Sequence, residues 1–330
     1  MARVGHAVSQ KLRRLILAAV LAGLVLLGWL VGGWYLPGPS NQHAAFAVPE
    51  GAGLVRIASA LEQQGLIRSA STFRLRARVL GGTGTIKTGE FSIPAGASAG
   101  KILSILQSGQ VIRRLVTVPE GMPSIVVQEK LLAEPLLTGD VAVPREGSVL
   151  PDSYDFVRGE SRAQVLARMQ AAMDRTLKEL WAKRSPDAVV KTPQEAVVLA
   201  SIVEKETGKP EERRMVAGLY SNRLRIGMPL QADPTIIYPI TKGKPLGRRI
   251  RQSEIAAVND YNTYSMSGLP KGPITNPGRE SIAAVLNPAK TDALFMVADG
   301  TGGHQFSRTL DEHNAAVAKW FAIRRARGEI

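Results

Sequence analysis

Apolar and polar positions along the chain fall into two regimes. Residues 15–36 form an unbroken apolar run of mostly Leu, Val, Ala and Gly with no charge. As a helix this run is ~33 Å long, enough to cross the hydrocarbon core of a bilayer. From residue 46 onward the segments are short and amphipathic. Residues 54–64 put Leu54, Ile57, Ala58 and Leu61 on one helical face, and residues 98–107 do the same with Ile102, Leu103, Ile105 and Leu106. Residues 71–79 predict another helix, and residues 46–48, 89–94 and 114–118 predict strands. Further on, residues 147–156 read as a loop, and Ser161 caps a long helix that turns Val165, Met169, Ala172 and Leu180 inward. Thr192, Pro193 and Glu195 give a strong start to a helix over 193–206, combining a Thr cap, Pro in the first turn and a capping-box Glu. A helix over 211–225, a strand–turn–strand over 294–307 and a final helix opened by Thr309 and Glu312 complete the pattern.

These elements predict an α+β chain. Residues 1–14 form a basic cytoplasmic tail, 15–36 a single transmembrane helix and 37–45 a Pro/Gly/Ser linker. Residues 46–119 form a small α+β subdomain and 120–330 a larger α+β domain. Arg3, Lys11, Arg13 and Arg14 precede the apolar run and few basic residues follow it closely, so the N-terminus is expected in the cytoplasm and the remainder outside. Trp29, Trp34 and Tyr35 lie toward the outer end. The run is long for a signal peptide and Leu36-Pro37-Gly38 is a poor cleavage site, which favours an anchor that stays.

The net charge of +14 would ordinarily suggest nucleic acid. The external topology and the scarcity of aromatic residues argue against that partner and favour acidic headgroups or an anionic wall polymer. With no cysteine, disulfides and thiolate metal sites are excluded. The four histidines lack ligand spacing, so neither a metal nor another cofactor is expected. Residues 81–84 are glycine-rich without the ending of a phosphate loop and read as a turn.

Candidate chemistry concentrates at the end of the 193–206 helix. That segment is apolar almost all round and closes on Glu204 and Glu206. Two residues turn a helix by about 200°, so at most one carboxylate enters a site from this element. Glu206 extends the stripe of Leu199, Ile202 and Val203 and sits at the negative end of the helix dipole. Both effects raise its pKa, as a general acid requires. Glu204 lies over Val197, Ala200 and Ser201, suited to orienting a neighbour or pairing with a base. The pattern favours Glu206 and leaves Glu204 open. Two later loops are rich in Asn, Gln, Tyr, Pro and Gly. One carries Asn222, Gln231, Asp233, Thr235 and Tyr238 around tight turns, and the other carries Asn262 and Tyr264. Amides and phenols of this kind suit a carbohydrate ligand.

Long ordered strings then tie the chain to a known family. Residues 199–207 (LASIVEKET), 222–235 (NRLRIGMPLQADPT) and 261–264 (YNTY) are the most specific. Residues 150–154, 297–300, 303–307 and 312–314 support them. In these the chain resembles the YceG-like (MltG) family of endolytic murein transglycosylases, over nearly its whole length after the anchor. The resemblance implies a bacterial inner-membrane lyase whose periplasmic part cleaves the MurNAc–GlcNAc bond within nascent peptidoglycan strands. Cleavage would leave 1,6-anhydromuramyl ends and limit strand elongation, beside peptidoglycan synthases as partners. It also implies a LysM-like character for residues 46–119, and it sets the catalytic glutamate on Glu206. Leu150 and Ser153 depart from the family pattern, which often has an aromatic residue and Thr there. Two other readings are a non-catalytic peptidoglycan-binding scaffold and a muramidase-type hydrolase using Asp233 as a second carboxylate.

Overall fold

The computed structural model describes residues 2–329, with side chains over 12–329. It contains two compact units. The first runs up to Arg114 and takes in Val157–Gly159; the second comprises Leu115–Phe156 and the chain from Glu160 onward.

The first unit begins with helix α1 (Ala2–Tyr35), whose stretch Leu12–Tyr35 is long and apolar enough to cross a membrane. Strand β1 (Ala44–Val48) pairs antiparallel with β2 (Gly89–Ile93), with Phe46 opposite Phe91. Helices α2 (Leu54–Gln63), α3 (Ala70–Leu80) and α4 (Ala99–Ser108) complete a core around Leu61, Phe73 and Leu106. Trp34 of α1 belongs to this core. It is only 4% exposed and its ring centroid lies 6.2 Å from that of Phe73. The segment after α1 is tied down as well, because Gly38 N donates to Gly96 O (3.1 Å) and Gly96 N to Ser40 O (2.7 Å).

In the second unit, β3 (Arg114–Val118) pairs with β4 (Asp152–Phe156) beside α5 (Ser124–Ala133). The strand over 152–156 replaces the expected loop: its partner lies some forty residues back in the chain, where local pattern carries no signal. The Thr117 and Ser153 hydroxyls bond at 2.8 Å across the pair. Helix α6 (Arg162–Ala182) starts at a capping box of Ser161 and Gln164. Helix α7 (Pro193–Glu206) is the centre of the unit, with every residue from Ala196 to Val203 buried. A short 3-10 turn (Pro210–Glu212) and α8 (Arg213–Arg225) divide the helix expected over 211–225. Helix α9 (Asp233–Thr241) begins where tight turns were expected, because Pro234 in its first turn is compatible with a helix start. After α10 (Gln252–Ile255), helix α11 (Arg279–Leu286) packs against α7 and α8. The hairpin of β5 (Phe295–Ala298) and β6 (His304–Ser307) and helix α12 (Leu310–Ala326) close the unit.

Candidate active site

The end of α7 is fixed from both sides. At its start, Thr192 Oγ1 accepts from Glu195 N (3.1 Å). The Glu195 carboxylate does not close the box onto Thr192 but accepts from Lys191 N (2.6 Å). Along its length, α6, α8, α9 and α11 pack against it. The helix stops as Thr207 turns extended (φ −134°, ψ 131°). Its last three residues therefore project in set directions. Lys205 is exposed, while Glu204 and Glu206 are partly covered.

Glu206 faces a cavity of about 350 Å³ shared with Tyr220 and Arg223 of α8, Gln231, Asp233, Tyr264 and apolar Leu219, Leu230 and Met296. Its Oε1 is buried with no hydrogen-bond partner. Burial first, and then the negative charge of Asp233, push its pKa up to about 7, against smaller opposing effects of the Tyr220 hydroxyl and Arg223. The carboxyl thus holds a proton near neutral pH and has a lone pair aimed at no protein donor. Asp233 is exposed at the same cavity and accepts from Tyr264 Oη at 2.7 Å. Burial and this bond to Asp233 raise the Tyr264 phenol. Burial also raises that of Tyr220 far above its ordinary value, so both phenols stay neutral hydrogen-bond donors.

A buried hydroxyl pair sets the geometry between Asp233 and Tyr264. Thr235 and Thr263 bond to each other at 2.9 Å. Thr263 Oγ1 accepts from Ala232 N (3.0 Å), and Thr235 Oγ1 accepts from Thr263 N (3.1 Å). Gln231 N donates to Thr263 O at 3.1 Å. This clasp holds Gln231 at φ 51°, a left-handed conformation costing on the order of 1–2 kcal/mol in a non-glycine residue. Arg223 supports the same loop. Its Nη1 donates to Leu230 O (2.7 Å) and its Nε to Leu294 O (2.7 Å). Burial lowers its pKa, yet a guanidinium stays charged at neutral pH. A fixed positive charge therefore stands close to where Glu206 becomes anionic.

Of the eight candidate residues, four meet at the cavity: Glu206, Gln231, Asp233 and Tyr264. The other four do not line it. Glu204 Oε2 accepts from Gly278 N (2.8 Å), capping α11, and its Oε1 lies 3.6 Å from Arg213 Nη2. Asn222 Nδ2 donates to Thr291 O (2.8 Å) and Ala293 O (3.1 Å). Asn262 is buried, with Nδ2 donating to Ala257 O (2.6 Å) and Oδ1 accepting from Tyr264 N (3.0 Å). Tyr238 packs on Tyr261 with ring centroids 4.9 Å apart, and burial and nearby Glu146 raise its phenol. Tyr220 and Arg223 were not among the candidates. Val216, Tyr220 and Arg223 recur at four and three residues, so a tyrosine and an arginine continue an apolar helix stripe, and that was the available signal. Among the described residues, no group of three or more His, Asp or Glu is arranged to hold a metal ion.

Fold and cavity together define a class: a mixed α+β domain presenting a half-buried carboxyl of raised pKa and an exposed acidic side chain to one polar cleft. The model of the YceG-like family matches residues 46–319, and the chain belongs to that family. It is 26% identical to the endolytic murein transglycosylase of Bacillus subtilis strain 168, over 89% of this chain and 91% of that protein. It is also 26% identical to the endolytic murein transglycosylase of Streptococcus pneumoniae strain D39, over 92% of this chain. The chain spans only 65% of the length of the pneumococcal relatives it matches. The crystal structure of a yceG-like protein from Listeria monocytogenes aligns with a TM-score of 0.53 and 25% identity, covering 84% of this chain and 99% of that one.

Proposed function

We propose that this protein is an endolytic peptidoglycan lytic transglycosylase with Glu206 as its acid–base residue. The observation that carries the reading is the Glu206 carboxyl itself: its pKa pushed up to about 7 by burial, with Oε1 unpartnered, in the cleft of a chain whose relatives are named for this activity. Protonated Glu206 donates to the glycosidic oxygen between MurNAc and GlcNAc, and the C1–O bond breaks as positive charge spreads over C1 and the ring oxygen. The resulting carboxylate then takes the proton of the MurNAc C6 hydroxyl as O6 bonds to C1. The proton returns to Glu206, a 1,6-anhydro ring forms and no water is consumed. The carboxylate formed midway is stabilised by the Arg223 charge and the neutral Tyr220 hydroxyl. Asp233, bonded to Tyr264, keeps the Glu206 proton in place and faces the substrate with Gln231.

Asp233 in the same cavity also favours a second reading, a muramidase in which it directs water to C1. The two differ in product. Purified sacculi are digested with the full-length protein in detergent and the muropeptides are weighed by mass spectrometry. Anhydromuramyl ends from the wild type and none from Glu206→Gln are expected. Reducing ends would replace the lyase by the hydrolase, and equal digestion by the variant would sink the role of Glu206. If neither protein cleaves yet both bind sacculi, the scaffold reading wins.

The same proposal puts α1 in the bacterial cytoplasmic membrane as an uncleaved single-pass anchor, N-terminus inside, with the chain after α1 in the periplasm. The β–α–α–β–α arrangement around β1 and β2 supports a LysM-like role for residues 46–119 in gripping glycan. Peptidoglycan synthases are the partners this reading expects.

A further inference from the structure

We propose that the first unit docks on the bilayer through α3, and that the cavity between α3 and the end of α1 takes the phosphate of an anionic phospholipid. The proposal rests on α1 being a retained membrane anchor. Arg76 of α3 reaches the backbone of α1, its Nη2 donating to Trp29 O (2.7 Å) and its Nη1 to Gly33 O (3.1 Å). The guanidinium also lies 4.7 Å from the centroid of the Trp29 ring. Gly33 is needed for this approach, since a Cβ there would run into the guanidinium. Trp29 and Gly33 lie within the apolar span Leu12–Tyr35, both less than about two turns from its end. A helix bonded to those two carbonyls sits at the depth of the lipid headgroups once α1 spans a bilayer.

The surface of α3 suits that depth. Leu75 and Val79, one turn apart, are 47% and 60% exposed. Arg74 and Arg78 lie beside them in sequence. Exposed apolar side chains interleaved with arginines are the pattern of an interfacial helix, and Trp29, 48% exposed, has the amphipathic ring favoured there. Thr72 and Arg76, on the same face of α3, line a cavity of about 400 Å³ together with Arg68 and Ser69. Gly28 and Gly32 of α1, the helix that acyl chains would surround, and Leu36 just beyond its end also line it. Arg68 is exposed. Over residues 37–114 there are nine basic residues against three acidic ones, so the field around the cavity attracts an anion. Continuity with the membrane span selects a lipid phosphate over a soluble one.

The chain has no cysteine, so a single nitroxide can be attached after Val79→Cys in the otherwise native full-length protein. The protein is reconstituted in nanodiscs of phosphatidylcholine and phosphatidylglycerol, and collision with oxygen and with a water-soluble nickel chelate gives the depth of the label. Headgroup depth is expected. Native mass spectrometry of the released protein then counts retained phosphatidylglycerol, which Arg68→Gln should reduce about fivefold, the worth of one arginine beside an anionic surface. A Val79 label as accessible to the chelate as in detergent-free water overturns the docking. Retention unchanged by Arg68→Gln overturns the phosphate site. The intact mass of the membrane-extracted chain separates these failures from that of the anchor: loss of residues 12–35 would overturn the anchor and the proposal together.

Discussion

Glu206→Gln is expected to abolish cleavage and, at alkaline pH, to stabilise the fold. The Glu206 carboxyl titrates at about 7 in the folded chain, against an ordinary 4.5. A carboxyl whose folded pKa is raised binds its proton more tightly in the native state. It therefore costs no stability below pH 4.5, an increasing amount as pH rises through that value, and its full amount above about 7. At ~1.4 kcal/mol per pH unit the full cost is about 3 kcal/mol, and water at the cavity mouth reduces it to roughly 2–3 kcal/mol. Gln mimics the protonated form at every pH. The variant should thus melt close to wild type at pH 5, and at pH 8 about 4–12 °C higher, at 2–4 °C per kcal/mol for a domain of this size. Thermal unfolding of both full-length proteins in detergent, followed by circular dichroism at the two pH values, measures this directly. Comparing the difference between proteins at each pH cancels the titrating groups that do not interact with Glu206. An equal difference at both pH values, or a variant less stable at pH 8, would refute the burial of an ionisable Glu206. Since only the protonated carboxyl donates, wild-type cleavage should also fall about tenfold per unit above pH 7.

Asp233→Asn removes the charge that, after burial, raises Glu206; the alkaline limb of the pH–rate profile should move to lower pH, and an unmoved limb would remove Asp233 from the electrostatics of the site. Glu204→Ala leaves Gly278 N without its acceptor and should cost about 1–3 kcal/mol of stability, while anhydromuropeptide release at low temperature stays within a few-fold of wild type. Trp34→Ala opens a hole in the core of the first unit and should cost about 3–5 kcal/mol, visible as a lowered first transition in the melting of the full-length protein.

What the sequence made legible, and what it hid, follows the range of the forces involved. Helix α7 was readable to the residue because its cap, its proline and its apolar run all lie within one segment. The same run gave Glu206 its environment, so a local pattern announced a buried acid. Asn222, Asn262 and Tyr238 look like ligand-binding side chains in sequence, since an amide or phenol in a loop bonds sugar and backbone equally well. Only the fold shows that Asn222 bonds the 291–293 segment and that Asn262 ties the loop bearing Tyr264. The Thr235–Thr263 clasp joins residues 28 apart, and it is this clasp that brings Asp233 and Tyr264 within 2.7 Å. Arg223 was hidden for a different reason. An arginine in the last turn of a helix ordinarily faces water and complements the dipole. Here it turns inward and gives its donors to backbone carbonyls, and its charge remains beside Glu206 without an acid to neutralise it among the described residues. A buried carboxyl whose proton must leave and return needs its two forms close in energy. Burial and Asp233 favour the acid, Arg223 and Tyr220 favour the anion, and a value near 7 is the balance of the two pairs. Three of those four influences come from residues 14 to 27 positions away from Glu206, beyond what periodicity on one helix can report.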